Sequence, residues 1–133
     1  MSSSRTKSRK HAMTILYQMN LYNKNKISYD MNDITNDIKD DKFAIELING
    51  VIKNEEKLDK LANKYLNKWN ISRLGLTDAA IIRIALYELL YTDTPKKVII
   101  NEAIEISKDY SDDKVVKMIN GVLDKVYHNE CNE

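Results

Sequence analysis

The first 29 residues hold the most distinctive chemical groups of the chain, a set of cations with no acidic residue among them. The cations of this segment are Arg5, Lys7, Arg9, Lys10, Lys24 and Lys26. From about Ser8 the apolar spacing is helical, which places Lys7, Lys10, Thr14 and Tyr17 on one face at intervals of three and four. Cations release counterions from phosphates and aromatic rings stack on unpaired bases, so this face favours nucleic acid as a ligand. RNA is favoured over DNA because arginine-rich segments often become ordered on RNA.

A solubilising tail is the alternative interpretation of the same charges, and the charge pattern alone weighs the two equally. The segment 1–10 is expected to form a basic, partly disordered arm that a ligand would order. Arg9 and Lys10 are expected on an exposed helix end, where they would contact RNA without affecting folding. Contacts by about four basic residues predict a log–log salt slope near −3 for a single strand, which is weak binding. A second surface or a partner would then be needed for specificity.

Catalytic groups are scarce. The histidines His11 and His128 lie near opposite ends of the chain, and no Ser or Cys sits in a motif with a base. Glu102 and Glu105 resemble half of a carboxylate metal site, but the histidine such a site requires is absent, so a solvated helix face is favoured. The sequence therefore predicts a protein that is not an enzyme and has no cofactor and no metal.

Composition indicates one domain spanning residues 1–133. Hydrophobic residues make up 43% of the chain, enough for a single core, while three Gly and one Pro are too few for an all-β fold. One Cys excludes an internal disulfide and weakly favours a reducing compartment. The longest apolar stretch, Ala79 to Tyr91, contains two charges and is too short to span a membrane. The predicted location is the cytoplasm, without a membrane contact.

Apolar periodicity predicts about seven helices and no strand, an all-α fold. The predicted helices run from about Ser8 to Tyr22, around Ile27 to Ile38, from a cap at Asp40, from Asn54 to Trp69, from Thr77 to Tyr91, from Thr94-Pro95, and from a cap at Ser111 to Asp113. The helix from Thr77 is apolar almost all round, which places it at the centre of the fold. Arg83 and Glu88 interrupt it, and structural ion pairs are the favoured explanation for both.

Two segments resemble each other, residues 47–52 and 118–123, because each places Asn-Gly-Val inside a helical pattern. A glycine there costs about 1 kcal/mol relative to alanine, which is tolerable where another helix crosses closely. Two similar helical bundles packed on each other would explain the similarity, and coincidence in an Asn-rich chain explains it equally well.

Several ordered motifs resemble those of the NusB family of transcription antitermination factors. They are Arg9-Lys10-His11-Ala12 with Tyr17-Gln18, Leu58-Asp59 with Trp69, Arg73-Leu74, residues 82–89 with Pro95, residues 100–103, and residues 120–124. Each motif is weak alone, but the set follows the family's order over essentially the whole chain.

The resemblance implies two packed three-helix bundles that bind single-stranded boxA RNA together with NusE, a small-subunit ribosomal protein. The complex would help RNA polymerase read through terminators during ribosomal RNA synthesis. By position, the implied RNA-binding residues are Arg5, Lys7, Arg9, Lys10, Tyr17, Arg73 and Lys117. The implied partner-binding residues are Tyr17, Asp78 and Met118, with Met118 standing where an aromatic is common. A homodimer is also compatible with the resemblance.

Two other functions stay open at this point. One is a helical protein–protein scaffold with an unimportant basic tail. The other is an RNA-binding accessory domain related to that of ribosomal RNA methyltransferases, which we expect less because the sequence has no catalytic domain.

Overall fold

The protein is all-helical throughout residues 2–131, which a computed structural model describes, with side chains from Ser4 onward. The helices are α1 (Ser2–Lys24), α2 (Met31–Ile34), α3 (Lys42–Tyr65), α4 (Leu76–Tyr91), α5 (Lys96–Lys108) and α6 (Asp113–Glu130). Short 3-10 turns cover Asn36–Ile38 and Ile71–Arg73, and the described part of the chain has no strand. The predicted all-α fold class is confirmed. The predicted domain covers residues 1–133 and the predicted arm begins at Met1, so the ends of these two predictions lie outside the described residues.

Helix α4 is the centre of the fold, as its apolar composition predicts. It packs against α1 and α3 on one side and against α5 and α6 on the other, so two groups of three helices share it. Its buried residues include every position from Ala79 to Leu86. The helix begins after Gly75 rather than at Thr77. No helix of the described residues is long and apolar enough to cross a membrane.

Helix α3 is one continuous helix where the sequence pattern predicts two that meet near Asn54. Val51, Leu58 and Ala62 are all buried, so its apolar stripe continues through the expected break. The Asn54 side chain donates a 2.8 Å hydrogen bond to the Gly50 carbonyl one turn earlier and therefore fits within the helix. The helix is capped by Asp41 rather than Asp40, because a carboxylate oxygen of Asp41 accepts from the Ala44 N–H at 3.1 Å.

The two Asn-Gly-Val segments differ in their surroundings. Gly50 faces the Tyr87 ring so closely that an added Cβ would lie 2.1 Å from the ring carbon Cε1. Gly121 has no neighbouring atom within 4 Å of such a Cβ in the described structure. A close crossing thus explains the glycine of α3 but not that of α6.

Candidate nucleic-acid interface

The N-terminal half of α1 is fixed to the body by Arg9. Its Nε and Nη2 donate to the two carboxylate oxygens of Glu88 at 2.8 and 2.9 Å, and its Nη1 donates to Glu102 at 2.9 Å. The side chains of Arg9 and Glu88 are only 4% and 1% exposed. Burial disfavours the charge of Arg9, but the hydrogen bonds and charges of the two glutamates outweigh it and raise the pKa of Arg9.

This position contradicts the expectation that Arg9 lies on an exposed helix end. Its guanidinium is engaged by Glu88 on α4 and Glu102 on α5 and presents almost no surface to a ligand. Arg9 therefore joins three helices in this structure, which is a structural role rather than a contact with phosphate. An ion pair is predicted for Glu88 because it lies in an apolar helix, and Arg9 is the partner that forms it.

Further contacts order the same segment, and α1 begins at Ser2 rather than near Ser8. The Arg5 guanidinium carbon lies 3.9 Å from the Phe43 ring centroid, and the Thr6 hydroxyl donates to Glu102. The buried Ser8 hydroxyl donates to Asp41 at 2.8 Å. The predicted arm is thus a helix end packed on α3 and α5 within the described residues.

Asp41 connects α1 to the start of α3. One carboxylate oxygen accepts from Ser8 and from the Ala44 N–H, and the other lies 2.9 Å from His11 Nδ1. Burial works against ionisation of this carboxylate, but the three hydrogen bonds outweigh it and lower the pKa of Asp41.

The other face of α1 is open, as its spacing predicts. Lys7 and Thr14 are exposed, the Lys10 side chain is 43% exposed, and Tyr17 is 38% exposed. Because these positions repeat every three or four residues, their side chains lie along one line of the helix. Two ammonium groups and one aromatic ring are therefore available together to a ligand.

Two predicted site residues, one on α1 and one on α4, each contact the loop between α5 and α6. Lys10 Nζ lies 3.9 Å from an Asp109 carboxylate oxygen, and the Ser111 hydroxyl donates to the half-buried Asp78. The loop leads directly into α6, where Lys117 is exposed and Met118 is half-buried. Residues of α1 and α4 that are far apart in sequence thus contact the same loop.

A shallow groove lies beside Met118, between α6 and the end of α3. Its lining residues are Tyr65, Leu66, Asn67, Lys68, Trp69, Met118, Gly121, Val122 and Lys125. Lys114 Nζ lies 5.8 Å from the Trp69 ring centroid, and exposed Arg73 ends the 3-10 turn that follows this tryptophan. The groove joins an aromatic ring to several cations, and its composition suits an anionic ligand with flat apolar parts.

Arg83 forms the second buried ion pair of the fold. Its Nε and Nη2 donate to the two Asp59 carboxylate oxygens at 2.7 and 3.0 Å, and Glu55 lies 3.9 Å from Nη1. This bidentate pair confirms the predicted structural role of Arg83 and excludes Glu88 as its partner. Because both arginine pairs involve α4, the central helix is tied to α1, α3 and α5 by charge as well as by apolar packing.

Metal-ligating side chains do not cluster anywhere in the described residues. Glu102 accepts from Arg9, and Glu105 pairs with Lys108 at 2.8 Å, so both glutamates have a partner inside the protein.

Sequence reasoning missed two features of this surface. Trp69 was a motif residue but was not expected beside Met118, since their proximity depends on how α6 packs on α3. The contact of Phe43 with Arg5 depends on the relative placement of α1 and α3, which no local pattern in the sequence reports. The intervals of three and four residues between Lys7 and Tyr17 correctly located the open face of α1.

An all-helical chain with an exposed cationic and aromatic face has the surface features that helical nucleic-acid-binding proteins present. The family model described as "NusB family" matches residues 6–128, and the chain belongs to the NusB family. The transcription antitermination protein NusB of Macrococcus caseolyticus is 42% identical over 132 residues, covering 96% of this chain and 99% of that protein.

Solved structures agree with this membership. NusB of T. maritima superposes with a TM-score of 0.80 at 32% identity, covering 94% of this chain and 91% of that one. A chain in the structure of the antitermination factors NusB and NusE in complex with double-stranded RNA has a TM-score of 0.77. Its identity is 24% and the coverage is 96% and 98%, so this second likeness concerns the fold.

Proposed function

We propose that this chain is a transcription antitermination factor that binds single-stranded, boxA-like RNA together with a NusE-type small-subunit ribosomal protein. The complex would promote read-through by RNA polymerase during ribosomal RNA synthesis, in the cytoplasm. Family membership supports this function, since the relative from Macrococcus caseolyticus carries the name of a transcription antitermination protein. The function is one of binding rather than catalysis.

The observation that carries the proposal is the open face of α1 beside the loop between α5 and α6. Lys7 and Lys10 offer ammonium groups to phosphates, and Tyr17 offers a ring to a base or to the protein partner. Arg5 stays exposed while packed on Phe43, so its guanidinium can also meet a phosphate.

Residues at the other end of this region complete the proposed interface. Arg73 and Lys117 are exposed and extend the set of cations toward α6. Asp78 and Met118 are half-buried, which suits a protein partner better than a flexible strand. We assign Asp78, Met118 and Tyr17 to the contact with the ribosomal protein.

Fluorescence anisotropy with a labelled boxA-like strand and a scrambled strand tests the proposal. Both strands are titrated with the full chain, with and without the NusE-type protein, at two salt concentrations. We expect sequence-selective binding that the partner strengthens. Binding that ignores both sequence and partner would contradict the proposal and favour a helical scaffold with a basic segment.

Exposed cations of α1 are tested by replacing Lys7 and Lys10 with Gln. Loss of two phosphate contacts should lower the magnitude of the log–log salt slope by about 1.4. Lys39→Gln with Lys97→Gln is a matched control, because both lysines are exposed and neither belongs to the row from Lys7 to Tyr17. Equal slopes for the two double variants would contradict the assignment of α1.

The proposed protein contact is tested by Asp78→Ala, measured by calorimetry with the NusE-type partner. We expect weaker binding of the partner and little change in binding of RNA alone. Ser111→Ala is the matched control, because it removes the hydrogen bond to Asp78 but leaves the carboxylate in place. A partner affinity that falls equally in both variants would show that Asp78 acts only by holding the loop.

A further inference from the structure

Helix α3 carries a second row of cations that the proposed interface does not use. Lys53, Lys57, Lys60 and Lys64 follow one another at intervals of four, three and four, so they lie along one side of the helix. All four residues are exposed. The row extends over about 16 Å, given a rise of about 1.5 Å per residue.

A pair of aromatic rings, of which Tyr91 is exposed and Tyr87 is half-buried, lies beside this row. Lys57 Nζ is 5.3 Å from the Tyr91 ring centroid, and Tyr91 is 41% exposed at the end of α4. The Tyr91 and Tyr87 rings stack with centroids 5.3 Å apart and an interplanar angle of 30°. A ring that is already oriented by a neighbour offers a flat face to a base at low entropic cost.

Acidic side chains lie close to the second half of the lysine row, so the first half is available to a ligand. Glu56 lies 4.0 Å from Lys60 and Glu130 lies 2.8 Å from Lys64. Among the described residues, no carboxylate lies within 4.0 Å of the Lys53 or Lys57 ammonium groups. Beyond them, a shallow groove is floored by apolar side chains, and its lining residues are Lys57, Lys60, Leu61, Lys64, Leu90 and Glu130.

The lysine row continues the side of α3 on which the N-terminal half of α1 packs. Phe43, Glu46 and Gly50 precede Lys53 at the same intervals of three and four. Arg5 lies over Phe43 at the start of this side, and Tyr87 lies over Gly50 in its middle. The side therefore leads from the cations of α1, past the acidic Glu46 and the tyrosine pair, to the lysines of α3.

We propose that Lys53, Lys57 and Lys60, together with Tyr91, bind a further stretch of the same RNA strand that α1 holds. This inference rests on the proposed function and extends it to longer RNA. The lysines contact phosphates, and Tyr91 stacks on a base. An acidic protein segment is the competing occupant, and we favour RNA because the exposed Tyr91 ring, stacked on Tyr87, adds a stacking platform that a row of carboxylates does not use.

Binding of two RNA lengths tests the proposal with the full chain. One labelled strand has the boxA-like length, and the other extends it by about eight nucleotides at each end, within the range that protein grooves for single strands accommodate. The variants are the triple change Lys53→Gln, Lys57→Gln, Lys60→Gln and, as a matched control, Lys26→Gln, Lys39→Gln, Lys97→Gln, which also removes three exposed lysines but none from the open face of α1.

We expect the parent chain to bind the extended strand about tenfold more tightly than the short one. The triple variant in α3 should lose this gain, and its salt slope on the extended strand should fall by about 2, while its binding of the short strand stays as in the parent. Equal behaviour of the α3 variant and the control on the extended strand would overturn the proposal. The proposal would also be overturned if the parent chain bound the extended strand no more tightly than the short strand.

Variants of Tyr91 separate stacking from charge. Tyr91→Ala should lower the affinity for the extended strand several-fold, and Tyr91→Phe should restore it because the ring remains. If Tyr91→Ala has no effect and poly-glutamate displaces the extended strand as well as unlabelled RNA does, the surface recognises charge alone and the proposal fails. Binding of the short strand by the parent, together with no effect of the α3 variant on the extended strand, would overturn only this inference, whereas no binding of either strand would overturn the proposed function as well.

Discussion

The N-terminal half of α1 and the middle of α3 carry similar rows of cations but use them differently. On α1, Arg9 is 4% exposed and binds two glutamates, and Arg5 packs on Phe43. On α3, Lys53 and Lys57 are exposed and have no carboxylate within 4.0 Å among the described residues. The comparison shows that the helix packed behind a cation, rather than the cation's place in a pattern, decides whether it is available to a ligand.

The chemistry of arginine and lysine agrees with this difference between packed and available cations. A guanidinium donates in a planar fork and can satisfy both oxygens of Glu88 while buried, whereas a lysine ammonium keeps its charge in water at the end of a flexible stem. Arg9 therefore holds α1 in place, whereas Lys7 of α1 and Lys53 and Lys57 of α3 are left for a ligand.

Replacing Arg9 should have the largest effect. Arg9→Ala leaves the carboxylate of Glu88, which is 1% exposed, without its partner, and we expect a loss of about 3–5 kcal/mol in the free energy of unfolding. Urea unfolding followed by circular dichroism measures this loss. The matched change on the open face, Lys7→Ala, should stay within about 0.5 kcal/mol of the parent.

If Arg9→Ala and Lys7→Ala had the same free energy of unfolding, the buried and the exposed cations of α1 would not differ in their contribution to stability. The double change Arg9→Met with Glu88→Met sharpens the comparison, because it removes both charges of the buried pair. We expect it to recover part of the lost stability, since the remaining core is not left with an unpaired Glu88.

Replacing Asp41, which ties α1 to the start of α3, should have an intermediate effect. Asp41→Ala removes a helix cap and the acceptor of Ser8 and His11, and we expect a loss of about 1–2 kcal/mol at neutral pH. Thermal or urea unfolding of this variant checks the magnitude. A loss below the error of the measurement would show that α1 is held without this contact.

The pH dependence of Asp41 gives a separate test. Its pKa in the folded protein is lower than its value of about 3.9 in the unfolded chain, so the charged form stabilises the fold above that pH. The contribution is lost as the pH falls through the folded-state value. Asp41→Asn keeps a side chain that caps helices, so the stability difference between parent and variant should be present at pH 7 and shrink below about pH 4.

Replacing Arg5 should have the smallest effect of the three. Its contact with Phe43 is exposed, and a cation–π contact at such a site contributes about 0.5–1 kcal/mol. Arg5→Ala should therefore lower stability by at most that amount, as measured by the urea midpoint. Lys57→Ala is the counterpart on α3, and its longer distance of 5.3 Å to the Tyr91 ring centroid should make its effect smaller still. The reverse order would contradict the view that α1 is the more firmly packed of the two.

Local patterns in the sequence were sufficient for most of the fold. Helix α4 was placed at the centre because its apolar residues occur on all sides, and Asp112 was correctly included among the caps of α6. The predicted break near Asn54 was wrong, because a polar side chain can bond to the preceding turn without interrupting the buried stripe of α3.

The site was only partly predictable, for a physical reason. The spacing from Lys7 to Tyr17 located the open face of α1, since exposure there follows from one helix alone. The burial of Arg9 depends on Glu88 and Glu102, which lie 79 and 93 positions away in the chain. Contacts over such distances follow from the packing of whole helices, and no local pattern reports them. The lysine row of α3 was readable as a spacing but became meaningful only with Tyr91 beside it.

Amide hydrogen exchange in α1 of the free protein tests most directly whether its basic segment is folded before RNA arrives. The relevant amides are those of Ser8, Arg9 and Lys10, which lie beyond the first turn of a helix that begins at Ser2. We expect them to be protected without any ligand, and to lose protection in Glu88→Gln, where Arg9 loses the buried one of its two charged partners. Exchange at the rate of an unfolded chain, with protection gained only on adding RNA, would contradict a preformed helix held by Arg9.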